Sequence, residues 1–245
     1  MNKLILFWLC IIFAVSNANA EVLEELWNKY APDKFREEAE LPTPGIIYGQ
    51  PPGTGESSFS YQWKYRPKTY EMHFQNPEKL ARGIRSLALY AHDISQELPP
   101  ETFYKGVTGF HYSVIQIADW LNNVLKSHEE LNPEENEFAG EMLRNSILKL
   151  GSSGFMPGDD IRHVLGSAPG KKRSFAKNLR HERLHVFWDE DQEMRNKAYH
   201  SWNNLQEIEK EAIRQRLKNY NQNNEAQLIE EWAILEAEQN GFNIK

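Results

Sequence analysis

Cysteine is nearly absent: the chain has one, Cys10, inside an apolar N-terminal run. No disulfide can form within the chain, so stability must come from core burial or a bound ion. Cys10 follows Phe7-Trp8-Leu9 rather than small residues, which argues against lipidation. Basic clusters are also few, with 28 lysines and arginines against 35 aspartates and glutamates, a net charge of −7. Phosphate backbones are held by clustered cations, so a nucleic-acid partner is disfavoured. No Gly-x-Ser-x-Gly elbow occurs, and Pro51-Pro52-Gly53-Thr54-Gly55 lacks the lysine of a phosphate loop, which leaves serine-triad and nucleotide chemistry unsupported. Asp159-Asp160 lacks the acid spacing of a calcium loop.

The longest apolar run, Leu4 to Val15, is about a dozen residues, short of the roughly twenty that span a bilayer. It follows Met-Asn-Lys and precedes Ser16-Asn17-Ala18-Asn19-Ala20, the three regions of a secretory signal peptide with cleavage after Ala20. The expectation is export to the periplasm or exterior, with no membrane span after cleavage. Losing Lys3 makes the mature chain more acidic still. At about 225 residues it is long enough for one sizeable core.

Three segments follow: the leader at 1–20, an N-terminal arm with turns and a possible strand at 21–75, and a helical domain at 76–245. In the arm, Val22, Leu23, Leu26 and Trp27 suit a short amphipathic helix, and Ser58 to Tyr65 alternates as a strand would. Helical periodicity then predicts runs from Asn76 to Leu98, from Phe110 to Leu125 and from Pro133 to Leu150, the last stopped by Gly151-Ser-Ser-Gly. A short piece spans Ile161 to Leu165. Ser174 can cap the next helix, Asp189 and Gln192 the one after it to about Asn203, and two more run to about Glu238. The expected fold class is mainly α, with a small β element.

The chemistry sits in His181-Glu182-Arg183-Leu184-His185. At about 100° per residue the two histidines lie about 40° apart on one helix face, with Glu182 at its flank. Two imidazoles one turn apart can reach a single tetrahedral zinc ion, and the glutamate between them can take a proton from a water on it. Phe175, Leu179 and Val186 form a stripe beside Glu182, so the histidines should flank core. The pentapeptide resembles the HExxH signature of the zincin metallopeptidases. That resemblance implies a zinc cofactor, a peptide or protein substrate, and hydrolysis of peptide or amide bonds, with His181 and His185 as metal ligands and Glu182 as general base.

The third ligand depends on the branch. A metzincin arrangement would need a glycine where Trp188 stands, and would use Asp191. The gluzincin arrangement takes a glutamate from a later helix, and Asn224 to Glu238 looks like that element, with Glu230 and Ala233 matching Glu-x-x-Ala. On a helical wheel Glu230 falls among Ala226, Ile234 and Ala237, and Glu231 lies about 100° further round on the outer side. Glu230 is therefore the expected third ligand, with Glu236, Glu231 and Asp191 as alternatives. Zincins also offer a tyrosine or histidine to the oxyanion, and Tyr199 and His200 stand in the corresponding part of the chain. The other histidines, His73, His92, His111, His128 and His163, show no ligand spacing. A rival reading is a non-catalytic helical binding or accessory protein with an incidental or structural metal site.

Overall fold

The computed structural model describes residues 47–48, 58–62, 66–171 and 175–241. The leader, the amphipathic segment after it and the Ser174 cap lie outside the described residues. Over the described residues the chain is mainly helical, as expected, but its sheet is larger than one strand.

Five strands pair in the order β1 (Ile47–Tyr48), β2 (Ser58–Gln62), β3 (Thr69–Phe74), β7 (His163–Ser167), β4 (Gly109–Ser113). The β3/β7 contact is parallel, with Met72 opposite Gly166, and the others are antiparallel. A separate hairpin joins β5 (Leu148–Gly151) and β6 (Gly154–Pro157). All six residues of β3 are buried, so this strand packs on both faces. Because it precedes residue 76, the segment read as an arm contributes a central strand.

Three helices fill one side of the sheet, each starting where its side chains satisfy free backbone N–H groups. Asn76 caps α1 (Pro77–Tyr90), Ser113 and Gln116 form a reciprocal box at α3 (Val114–Ser127), and Asn132 and Glu135 do the same at α4 (Pro133–Arg144). The short α2 (Pro100–Gly106) follows Pro99. Leu80, Ile84, Ile117, Trp120 and Met142 from this set bury against Tyr70, Met72, Phe110 and Val164.

Three sequence expectations are corrected. The first helix stops at Tyr90, beyond which His92 takes a left-handed φ of 60°, and Ile94 is buried from a loop. Phe110, His111 and Tyr112 belong to a strand because their even spacing matches β7, and the helix begins only at the Ser113 cap. The helix from Pro133 ends at Arg144, and the Gly151-Ser-Ser-Gly sequence turns a hairpin instead of ending it. Of the Ile161 to Leu165 piece, His163 onward belongs to β7, which continues to Ser167.

The opposite side of the sheet carries α5 (Phe175–Glu190), α6 (Gln192–Asn204), α7 (Glu207–Arg216) and α8 (Glu225–Gly241). Asp191, not Asp189, caps α6, accepting from Met194 N at 2.9 Å. Helix α5 lies against β4 and β7 and is crossed by α8, with Leu165, Leu184, Trp202, Leu228 and Trp232 at the centre of a second core. Residues 181–188 are all buried. Within them Arg183 makes a two-pronged contact to Glu71 of β3, Nε to Oε1 at 2.6 Å and NH2 to Oε2 at 2.9 Å, both side chains fully buried. This fork fixes the rotation of α5 about its axis, which sets where its histidines point.

Candidate metal centre

His181 and His185 leave the same face of α5, their rings 5.1 Å apart. Each turns its Nε2 toward one carboxylate of α8: His181 Nε2 stands 3.4 Å from Glu231 Oε2, and His185 Nε2 3.6 Å from Glu231 Oε1. Each outer nitrogen faces a different carboxylate, His185 Nδ1 at 2.6 Å from Glu230 Oε1 and His181 Nδ1 at 3.5 Å from Glu238 Oε2. Inward Nε2 with an outward carboxylate partner is the arrangement that fixes the tautomer of a ligating histidine.

His181, His185 and Glu231 together are able to hold a metal ion. Donors bonded to a tetrahedral zinc at 2.0–2.1 Å lie about 3.3–3.4 Å apart, close to the separations here. Glu231 is buried with His181 Nε2 3.4 Å from its Oε2, and two imidazoles with a carboxylate are a donor set suited to zinc.

Of the two neighbouring carboxylates, Glu231, one of the alternatives, faces both Nε2 atoms, while the expected Glu230 does not. Glu231 is 6% exposed, whereas Glu230 is half-buried and engages the far side of His185. A helical wheel does not rank the two glutamates because α8 is buried around most of its circumference: Leu228, Ile229, Trp232, Ala233, Ile234 and Ala237 are all in the core. The other two alternatives are committed elsewhere, Glu236 to Arg216 at 3.2 Å and Asp191 to its capping role. Trp188 is buried.

The surroundings carry surplus negative charge. Burial opposes the charged form of His181, yet Glu231 and Glu238 outweigh it and hold its pKa up at about 10; Glu231 and Glu230 similarly raise His185 to about 9. Burial and the nearby Glu231 and Glu230 push Asp93 up to about 7. Asp93, Glu182, Glu230, Glu231 and Glu238 together outnumber the two imidazoles, a field that favours a bound cation.

Glu182 faces the sheet. A Cβ at Gly109 of β4 would lie 2.1 Å from Glu182 Oε1, so only glycine leaves room for this carboxylate. Both residues line a cavity of about 350 Å³ between β4, α5 and α8. Tyr112 and Tyr220 also line it. Burial, followed by Asp93 for Tyr112 and by Glu231 for Tyr220, raises both phenols well above their ordinary value, so they keep their protons and remain donors. Tyr199 and His200, expected at the oxyanion, do not line this cavity: Tyr199 packs beside Trp188, and His200 is exposed against Asn204.

Sequence reasoning held Glu231 only as an alternative to Glu230, and missed Asp93, Tyr112, Tyr220 and Gly109. Tyr220, between the motif helix and α8, was open to the same positional logic that picked Tyr199. The others are brought in by strand pairing and a loop, which leave no local spacing. A further group, His111, His163 and Asp189, could also hold an ion.

No family model, curated protein or solved structure matches this chain. Among the described residues, no helix is long and apolar enough to cross a membrane.

Proposed function

We propose that this chain is an exported, zinc-dependent hydrolase that cleaves peptide or amide bonds, carried by its leader to the periplasm or exterior. The observation that carries the reading is the convergence of His181 and His185 Nε2 on Glu231, with Glu182 beside them in a cavity bordered by an edge strand.

His181, His185 and Glu231 would hold the zinc ion, which when bound would supply a Lewis acid for a carbonyl and for water. Glu182 is the general base, accepting the proton of the attacking water and returning it to the leaving amine. Gly109 gives its carboxylate space to do so. Glu230 and Glu238 orient the two imidazoles. Tyr112 and Tyr220 provide protonated phenols on the cavity wall, suited to hydrogen-bond oxygen as it gains negative charge. Strand β4 ends the sheet among the described residues, so an extended peptide backbone fits beside it as an added strand.

The test is zinc content by mass spectrometry on the mature chain purified without a histidine tag, followed by turnover of a peptide library. His181→Ala/His185→Ala is expected to lose one equivalent of zinc per chain. Glu182→Gln is expected to keep it and lose turnover. Zinc content unchanged in the double variant, or full turnover by Glu182→Gln, refutes the assignment.

A further inference from the structure

Three side chains with no sequence proximity meet beside the same cavity, which His111 and Asp189 line. His111 stands on β4, His163 on β7 and Asp189 at the end of α5. The antiparallel β4/β7 pairing sets Ser113 opposite His163 and His111 opposite Leu165, so the two imidazoles are diagonal neighbours on one face of the sheet. His111 Nε2 and His163 Nδ1 lie 3.1 Å apart, and both turn toward the same oxygen, Asp189 Oδ2, at 3.8 and 3.7 Å. His163 Nε2, its outer nitrogen, faces Glu190 Oε1 at 3.9 Å.

The pattern repeats that of the first centre: two imidazole nitrogens and a carboxylate oxygen around one point, with a second carboxylate behind a ring. The three donor separations bracket the roughly 3.3–3.4 Å expected around a tetrahedral ion with 2.0–2.1 Å bonds. Both imidazoles are nearly buried, with side chains 7% and 8% exposed, while Asp189 is 39% exposed and opens the group to solvent. A hydrogen bond between the two histidines accounts for the 3.1 Å contact alone. It does not account for both nitrogens aiming at a single carboxylate oxygen.

The two centres are adjacent but share no ligand. The His111 ring lies between the other two, 5.7 Å from His185 with an interplanar angle of 8°, and 5.3 Å from His163. We propose that His111, His163 and Asp189 form a second site for a divalent transition-metal ion of the zinc or cobalt class, set beside the first. Imidazole-rich donor sets select such ions over magnesium or calcium, which prefer oxygen. The proposal does not depend on hydrolytic activity.

The experiment is metal stoichiometry on the mature full chain, stripped and then titrated separately with Zn²⁺ and with Co²⁺, the latter followed by its visible absorption. Two equivalents per chain are expected, falling to one in His163→Gln and to one in His181→Ala/His185→Ala. Circular dichroism checks that each variant is folded. Where His163→Gln does not fold, the unsubstituted chain and the His181→Ala/His185→Ala variant decide: a single equivalent at saturating zinc that is lost in that variant overturns the second site. A folded His163→Gln chain that keeps both equivalents overturns it as well. Loss of an equivalent in His163→Gln with none lost in the His181/His185 variant supports the second site while refuting the first, so the two assignments fail separately.

Discussion

Replacing Glu231 and Glu230 in turn tests the proposed division between a ligand and the residue that orients one. Both are carboxylates of the same helix one residue apart, but Glu231 faces both Nε2 atoms and Glu230 reaches only the far nitrogen of His185. Structural zinc sites with four ligands bind with about 10–16 kcal/mol, or about 2.5–4 kcal/mol per ligand. Glu231→Gln should therefore weaken zinc binding by about 10²–10³-fold. Loss of a carboxylate behind a ligating histidine typically costs about 10–100-fold, or about 1.4–2.7 kcal/mol, and Glu230→Gln should fall in that range. The assay is competition of the stripped protein against a chromophoric zinc chelator at fixed pH, with the relevant equivalent identified by its absence in His181→Ala/His185→Ala. If Glu230→Gln costs more affinity than Glu231→Gln, α8 is rotated from the arrangement described and the third ligand is Glu230.

Other outcomes follow from the same geometry. Gly109→Ala should push the Glu182 carboxylate aside and lower turnover by about 10²-fold while zinc content is unchanged, measured by kcat/KM beside metal analysis; full activity would mean that Glu182 does not work from its position against β4. Arg183→Ala leaves Glu71 charged and buried without its fork, and should cost about 3–5 kcal/mol in urea unfolding; a loss below about 1 kcal/mol would remove this contact as the anchor of α5. Burial disfavours the Glu71 carboxylate, but Arg183 and His73 outweigh it and lower its pKa below the ordinary 4.5. Its stabilisation is therefore complete above pH 4.5 and is lost as pH falls through the lower folded value, so acid titration of stability should be shallower in Glu71→Gln than in the parent.

The sequence carried its local signals well and its long-range ones poorly. Helix starts at Pro77 and Pro133 could be read because proline and its capping neighbours act within one turn. The paired histidines could be read because four residues is one turn. Phe110 to Tyr112 were absorbed into a helix because their partner strand lies more than fifty residues onward, and the same separation concealed the meeting of His111 with His163. Glu230 and Glu231 were not separable for another reason: a helix buried nearly all round has no apolar face from which to count.

The unbroken burial of residues 181–188 has a consequence for how metal comes and goes. Backbone amides in such a segment exchange with solvent deuterium only when a large part of the molecule opens, so they should be among the slowest in the chain. A chelator would lift the ion from a frame that stays closed, leaving the exchange pattern of α5 almost unchanged. In small zinc-folded modules the chain collapses around its metal; here the histidines would already stand in place, and the ion would join a finished structure.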